Sequence, residues 1–230
     1  MTEPLEGASA PEPPAPGIRG TVQIVEPSPA ERTIARRAAE ARATVPDLEL
    51  AVEVDMGACL GLQAAPTAIL VRAAALALSE HPRANAAYRD GHFELYSRVN
   101  VGLTIEHEDM LVTGTLFDAD RKGLPELSAE VDELQLRASQ LTSAERSGAT
   151  FTLTDLGRYG VSRATPIISP PQAAALAAAE IRRAPIVRDA AVVPGEVMTL
   201  TLACDSRILY GAEAAGFLSH IRDLLETAAL

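Results

Sequence analysis

Tryptophan is absent from this chain, and phenylalanine and tyrosine together bring the aromatic share of its 230 residues to only 3%. A core made without large rings is filled by aliphatic side chains, and 47% hydrophobic residues suffice for one sizeable core. Lysine is almost missing: Lys122 is the single lysine among twenty basic residues, an arginine skew that with abundant alanine points to a GC-rich bacterial genome. Positive charge is scarce, and a formal net charge of −11 with no basic run excludes the clustered cations that a nucleic acid or an anionic membrane surface requires. The only two cysteines, Cys59 and Cys204, have no second Cys or His at metal-ligand spacing, so no metal site is expected and both are read as buried free thiols. No apolar run approaches the roughly 20 residues that span a bilayer, and no basic segment followed by an apolar one opens the chain. A soluble, cytoplasmic protein is the expectation. Internal repeats and Gly-rich phosphate loops are also lacking.

What is present divides into a tail and one domain. Residues 1–17, "MTEPLEGASAPEPPAPG", offer almost nothing to bury and read as a disordered or extended tail before a single domain over 18–230. A short extended piece, "TVQIVE", leads to a helix predicted from Pro29 to about Ala43, with Ser28 as cap, Pro29 in the first turn and Glu31 completing a capping box. "LELAVEVDM" alternates as a half-buried strand, and "APTAILVRAAALALSEHP" is a deeply buried helix ended by Pro82. A hairpin turning at Asp90-Gly91, strands "RVNVGLTIEH" and "MLVTGTLFD", and a helical stripe over 124–141 follow. The rest is strand "ATFTLTDLG", a Pro-rich loop, an Ala-rich segment, strand "EVMTLTLAC" and a closing helix from Ala212 to about Leu225. Helices interspersed with mostly non-alternating strands, without a strict βαβ rhythm, predict an α+β layered domain with a mixed sheet.

Seven segments, in order, carry a resemblance. They are "RTIARRAAEARATVP", "VRAAALALSEHP", "VNVGL", "FDADRKGL", "FTLTDLGRYGV", "TPIISPPQAA" and "MTLTLACDSRILYGAEAAGFL". Together the chain resembles the catalytic domain of the dihydrolipoyl acyltransferase (E2) component of 2-oxo acid dehydrogenase complexes. The resemblance implies a chloramphenicol-acetyltransferase-like fold and a homotrimer with each active site between two subunits. It also implies a coenzyme A or acyl-carrier thioester as co-substrate, with no covalently bound cofactor, and a small-molecule acceptor or an acyl carrier protein as partner.

The chain departs from the pattern in three places. The lipoyl and E1/E3-binding domains that precede the family's core have no counterpart here, which implies a stand-alone role. The stretch between Met56 and Pro66 is shorter than the family's helix and loop. The family's terminal motif, Asp-His-Arg-x-x-Asp-Gly, reads Asp205-Ser206-Arg207-Ile208-Leu209-Tyr210-Gly211. The family's His is the general base that deprotonates the attacking thiol or hydroxyl, and a serine hydroxyl near pH 7 cannot replace it unless a neighbouring base activates it.

By resemblance Thr154 supplies an oxyanion hydrogen bond across the subunit interface. Ser206, Thr154 and Tyr210 are therefore the candidate catalytic positions, and Asp155, His107, Asp205 and Arg207 the candidate substrate-binding ones. Plainer roles stay open beside these. Thr154 is also a strand residue, Asp205 and Arg207 also suit a buried polar pairing in a turn, and His107 also suits a charged surface turn with Glu106, Glu108 and Asp109. Of the other histidines, His81 at a helix end and His220 on the exposed-looking side of the last helix read as structural or solvated, and His92 as surface. Asp47 stands where many family members have His, and reads as a strand start.

Three functions follow. One is acyl transfer from a thioester to a hydroxyl or amine without the usual base, as in natural-product pathways such as those making tetronate polyketides. Another is a catalytically inactive trimeric scaffold. The third is a repurposed channel for elimination or cyclisation, with Tyr210 as donor or general acid.

Overall fold

The computed structural model describes residue 18, residues 20–107 and residues 110–230, the side chains of 106–111 excepted. The predicted tail, residues 1–17, and the side chains of the predicted charged turn around His107 lie outside the described residues.

Ser28 caps the first helix as its sequence requires. The Ser28 hydroxyl accepts the Glu31 N–H at 3.2 Å, and the Glu31 carboxylate accepts the Ser28 N–H at 2.6 Å, opening α1 (Pro29–Thr44). β1 (Asp47–Asp55) follows, then α2 (Pro66–Glu80), whose Ile69, Leu70, Val71, Leu78 and five alanines are buried. β2 (Ala86–Arg89) and β3 (His92–Leu95) form a separate hairpin, and Asp90 and Gly91 at its turn take φ of 48° and 80°. Two positive φ values in a two-residue turn match strand twist, which is why an Asp-Gly pair sits there. β4 (Val101–His107), β5 (Met110–Leu116), α3 (Leu124–Leu136), α4 (Ser143–Ser147), β6 (Phe151–Asp155), β7 (Ala174–Ala178), β8 (Arg182–Arg188), β9 (Ala191–Asp205) and α5 (Gly211–Thr227) complete the chain.

Seven strands make one mixed sheet in the order β1-β9-β7-β6-β4-β5, with β8 paired to the first half of β9. β6 runs parallel to β4 and β7, and the other pairs are antiparallel. Register explains the layering. One row across five strands reads Leu103, Leu153, Leu176, Leu202 and Leu50, and it packs in the main core. The next row reads Thr104, Thr154, Ala177, Thr201 and Ala51 and therefore points to the opposite face. β1 alternates, whereas β6, β7 and the second half of β9 are buried at nearly every position, in keeping with the mostly non-alternating strands expected. The mixed sheet and layered α+β class are as predicted.

"TVQIVE", the short extended lead-in, stays outside every ladder as expected, with Val22, Ile24 and Val25 exposed. "AALAA" is a strand despite its weak β propensity because it is enclosed between β6 and β9, where small side chains are buried on both faces. β8 forms within the predicted Ala-rich segment even though Pro185 removes a ladder donor, because Pro185 lies opposite Pro194 in an outlying hairpin arm. Among the described residues no helix is long and apolar enough to cross a membrane.

The short α4 holds a pH-sensitive contact. Thr142 caps it, and the Glu145 carboxylate accepts the Thr142 N–H and hydroxyl, both at 2.7 Å, and the Arg137 guanidinium at 2.9 Å. The Thr142 backbone and hydroxyl bonds, followed by Arg137, lower the Glu145 pKa from 4.5 to about 2. A carboxylate depressed on folding contributes stability that is present above its unfolded value and lost as protons bind. Stability should therefore decline as pH falls from about 4.5 toward about 2. In acid-titration melts, Glu145→Gln is expected to cost about 1 kcal/mol at pH 7 and clearly less at pH 2, where the carboxylate is about half protonated.

Candidate active site

The motif turn is built at the end of β9, beside the start of β1. Asp205 is the last residue of β9, its carbonyl accepts the N–H of Ile208 and Leu209, and its side chain is 3% exposed. That buried carboxylate is satisfied within the turn. Its Oδ1 accepts the Arg207 N–H at 3.0 Å and Nε–H at 2.9 Å, and its Oδ2 accepts Nη2–H at 2.6 Å. This charge-assisted fork holds the Arg207 pKa above its ordinary value. The guanidinium also stacks 4.5 Å from the Tyr88 ring centroid, fixing the turn to the β2–β3 hairpin. Arg207→Ala would strip a buried carboxylate of its counter-charge, and a loss of about 2 kcal/mol in urea unfolding is expected, since the arginine itself is partly solvated.

Ser206 is committed to the chain. Its hydroxyl donates to the Pro46 carbonyl at 2.7 Å and its N–H to the same oxygen at 3.0 Å. Among the described residues no histidine or carboxylate is hydrogen-bonded to that hydroxyl. Tyr210 stands before the first residue of α5 with 52% of its surface exposed in the single chain, and is not packed in the core. Cys204 is no substitute nucleophile, because burial, then Asp205 and Asp47, push its pKa up to about 11. Cys59 is likewise buried and free.

Thr154 lies elsewhere. It sits near the end of β6 on the Thr/Ala face, partly exposed, with its hydroxyl 3.1 Å from that of Thr104 on β4. Its row reaches β9 at Thr201, and Ser206 is about 16 Å farther along at ~3.3 Å per residue. One protomer therefore does not bring Thr154 and Ser206 together.

Asp155 points to the helix side. Its Oδ2 accepts the Thr67 hydroxyl at 2.6 Å in the first turn of α2, and its Oδ1 accepts the Gly157 N–H at 2.9 Å. A carboxylate at a helix N-terminus complements the helix dipole, so Asp155 anchors α2. His107 ends β4 opposite Met110, and its side chain lies outside the described residues. Asp47 opens β1 and pairs with Arg42. His92 is exposed, as expected, while His220 is half-buried against His81 and not on an exposed side.

Sequence reasoning passed over Thr201. It is 1% exposed, in the Thr154 row, and its hydroxyl makes no hydrogen bond within the described residues. The alternation in "TLTLAC" was the signal for it. Among the described residues no three His, Cys, Asp or Glu side chains are gathered to hold a metal.

These features can be set beside known proteins. The profile of the 2-oxoacid dehydrogenases acyltransferase (catalytic domain) matches residues 20–230. The dihydrolipoyllysine-residue acetyltransferase component of the Zymomonas mobilis pyruvate dehydrogenase complex is 33% identical over 210 residues, covering 85% of this chain and 48% of that protein. The chain spans about half the length of the curated relatives it matches. A probable dihydrolipoamide acetyltransferase from Listeria monocytogenes superposes with a TM-score of 0.85 at 26% identity, covering 89% of this chain and 94% of that one. The Azotobacter vinelandii dihydrolipoamide acetyltransferase superposes with a TM-score of 0.86 at 25% identity over 94% of this chain and 98% of its own. In that enzyme a serine, a histidine and an asparagine have been studied for their part in the catalytic mechanism. Chloramphenicol acetyltransferase shares the fold, with a TM-score of 0.53 at 14% identity. With a profile match over nearly its whole length, the chain belongs to the 2-oxoacid dehydrogenase acyltransferase (catalytic domain) family.

Proposed function

We propose that the chain transfers an acyl group from a coenzyme A or carrier-protein thioester to an acceptor that brings its own ionisable nucleophile, in a homotrimer whose copies complete one another's sites. One observation carries this reading: the Thr154 hydroxyl, partly exposed and backed by Thr104, is a ready hydrogen-bond donor. Spacing supports it. In the Azotobacter enzyme the histidine follows the serine by 52 positions and the asparagine follows the histidine by four, and Thr154, Ser206 and Tyr210 have the same two separations. The separation of Thr154 from Ser206 within one chain supports a trimer, since a shared site would need Thr154 of one copy to meet Ser206 of another.

In this mechanism the acceptor loses its proton to solvent, because the Ser206 hydroxyl is held by Pro46 and is no base. The acceptor's lone pair attacks the thioester carbonyl carbon, the carbonyl oxygen takes the negative charge, and the Thr154 O–H donates to it. Collapse re-forms the carbonyl and breaks the C–S bond, and the departing thiolate takes a proton from water. With a thiol acceptor the rate should rise about tenfold per pH unit up to the thiol pKa of about 8.5, with no inflection near 6.5. A stopped-time pH profile checks this.

Calorimetric titration with coenzyme A and acetyl-coenzyme A tests the donor half of the proposal. Saturable binding at one site per subunit supports it, and no binding to a folded trimer removes the coenzyme A version. A second reading, an inactive scaffold, is favoured by the double donation of Ser206 to Pro46, which makes the motif serine a clamp between β9 and the α1–β1 junction. It predicts no acyl transfer from any thioester.

A further inference from the structure

Away from the motif turn, two histidines from different helices face each other. His81 caps the C-terminus of α2, and His220 lies on α5; their nitrogens Nε2 and Nδ1 are 3.3 Å apart. On α5 the residues Glu213, Gly216, Phe217 and His220 recur at helical spacing and form one face. Phe217 meets the His81 ring edge-on at a centroid distance of 5.6 Å and sets its plane. Gly216 faces the same ring, and a Cβ added there would stand 4.0 Å from His81 Cε1. The other charged groups here are Glu80, whose Oε2 is 4.0 Å from His220 Nδ1, and Glu213, which is paired with Arg83 at 3.3 Å.

Two imidazoles on one tetrahedral ion, each about 2.0–2.1 Å from it, have nitrogens about 3.3–3.4 Å apart. The two nitrogens now share a hydrogen bond at that separation, so an ion would take the place of the shared proton, with the rings turning toward it and neither helix moving far. We propose that His81 and His220 chelate a late first-row dication of the zinc, nickel or copper class, fastening the C-terminus of α2 to the middle of α5. Imidazole nitrogen suits those ions, whereas magnesium and calcium prefer oxygen. The exposed Glu80 carboxylate, 4.0 Å from His220 Nδ1, adds a compensating negative charge, and water fills the remaining positions.

The test uses the untagged full chain, freed of metal by chelator and titrated with zinc at pH 7.5. The expected result is one ion per chain, a higher melting temperature, and NMR shifts confined to the imidazoles of His81 and His220, with no competition from magnesium. His220→Gln should weaken zinc binding at least about tenfold and abolish the thermal shift, and Glu80→Gln should weaken it less. Circular dichroism of each variant confirms that it folds. Absence of saturable zinc binding overturns the proposal, as does binding that His220→Gln leaves unchanged or that shifts His92 or His107 instead. The readout is independent of acyl transfer, so its failure leaves the proposed function standing.

Discussion

Ser206→His is expected to raise the acyl-transfer rate at pH 7 by about 10²–10⁴, the span that a positioned general base contributes. The reason lies in what the serine touches. The Pro46 carbonyl takes a hydrogen bond from the Ser206 hydroxyl at 2.7 Å, and an imidazole there can give its Nδ1–H to the same oxygen. That bond fixes the tautomer and leaves Nε2 unprotonated to accept the acceptor's proton. An inflection near pH 6.5 should appear with the gain, replacing the log-linear rise expected of the natural chain. Steady-state kinetics with acetyl-coenzyme A and a small thiol measure both. An unchanged rate in a folded Ser206→His protein would mean that donor and acceptor never meet at this position, and would decide for the scaffold.

Thr154→Val is expected to act in the opposite direction. Valine keeps the shape and β propensity of threonine and removes only the hydroxyl, so the loss of one oxyanion donor should lower kcat by about 10²–10³. The substitution leaves Thr104 without its partner at 3.1 Å, but that group is partly exposed, and unfolding free energy should change by no more than about 1 kcal/mol. A large kinetic effect beside a small thermodynamic one separates a donor to the transition state from a strand residue. Measuring it in the Ser206→His background gives the widest range. If kcat is unaffected, Thr154 is only a strand residue and the oxyanion must be held elsewhere.

How much of this was legible in the sequence depended on whether the signal was local. The capping box at Ser28, the Asp90-Gly91 turn and the apolar α2 are set by neighbours a few residues apart, and the fold reproduces them. "AALAA" and "RRAPIVR" were not legible, because alanine and proline are poor strand formers alone and become strands only where β9 offers a partner. At the site, the Asp205–Arg207 fork was foreseeable from two positions in one turn, since i and i+2 charges fold back on each other there. The Ser206–Pro46 contact and the Asp155–Thr67 contact were not, because each joins segments that only the sheet brings together. The His81–His220 pair is not legible for the same reason: the side of α5 that carries His220 is half-buried only because α2 packs against it.

The sheet order has a last consequence, for how the chain is made. Among the described residues β1 pairs only with β9, from Asp47 opposite Asp205 to Asp55 opposite Val197, a separation on the order of 150 residues. At a synthesis rate of about 5–20 residues per second, β1 leaves the ribosome roughly 8–30 s before its partner exists. For that interval it is an unpaired strand, the kind of edge that recruits other nascent chains. Its side chains answer the hazard: Asp47, Glu49, Glu53 and Asp55 put a carboxylate on nearly every outward position, so a waiting β1 repels another copy of itself. The same charges later take Arg42, Arg163, Arg182 and Arg188 as partners, most of which are translated long after the strand they neutralise.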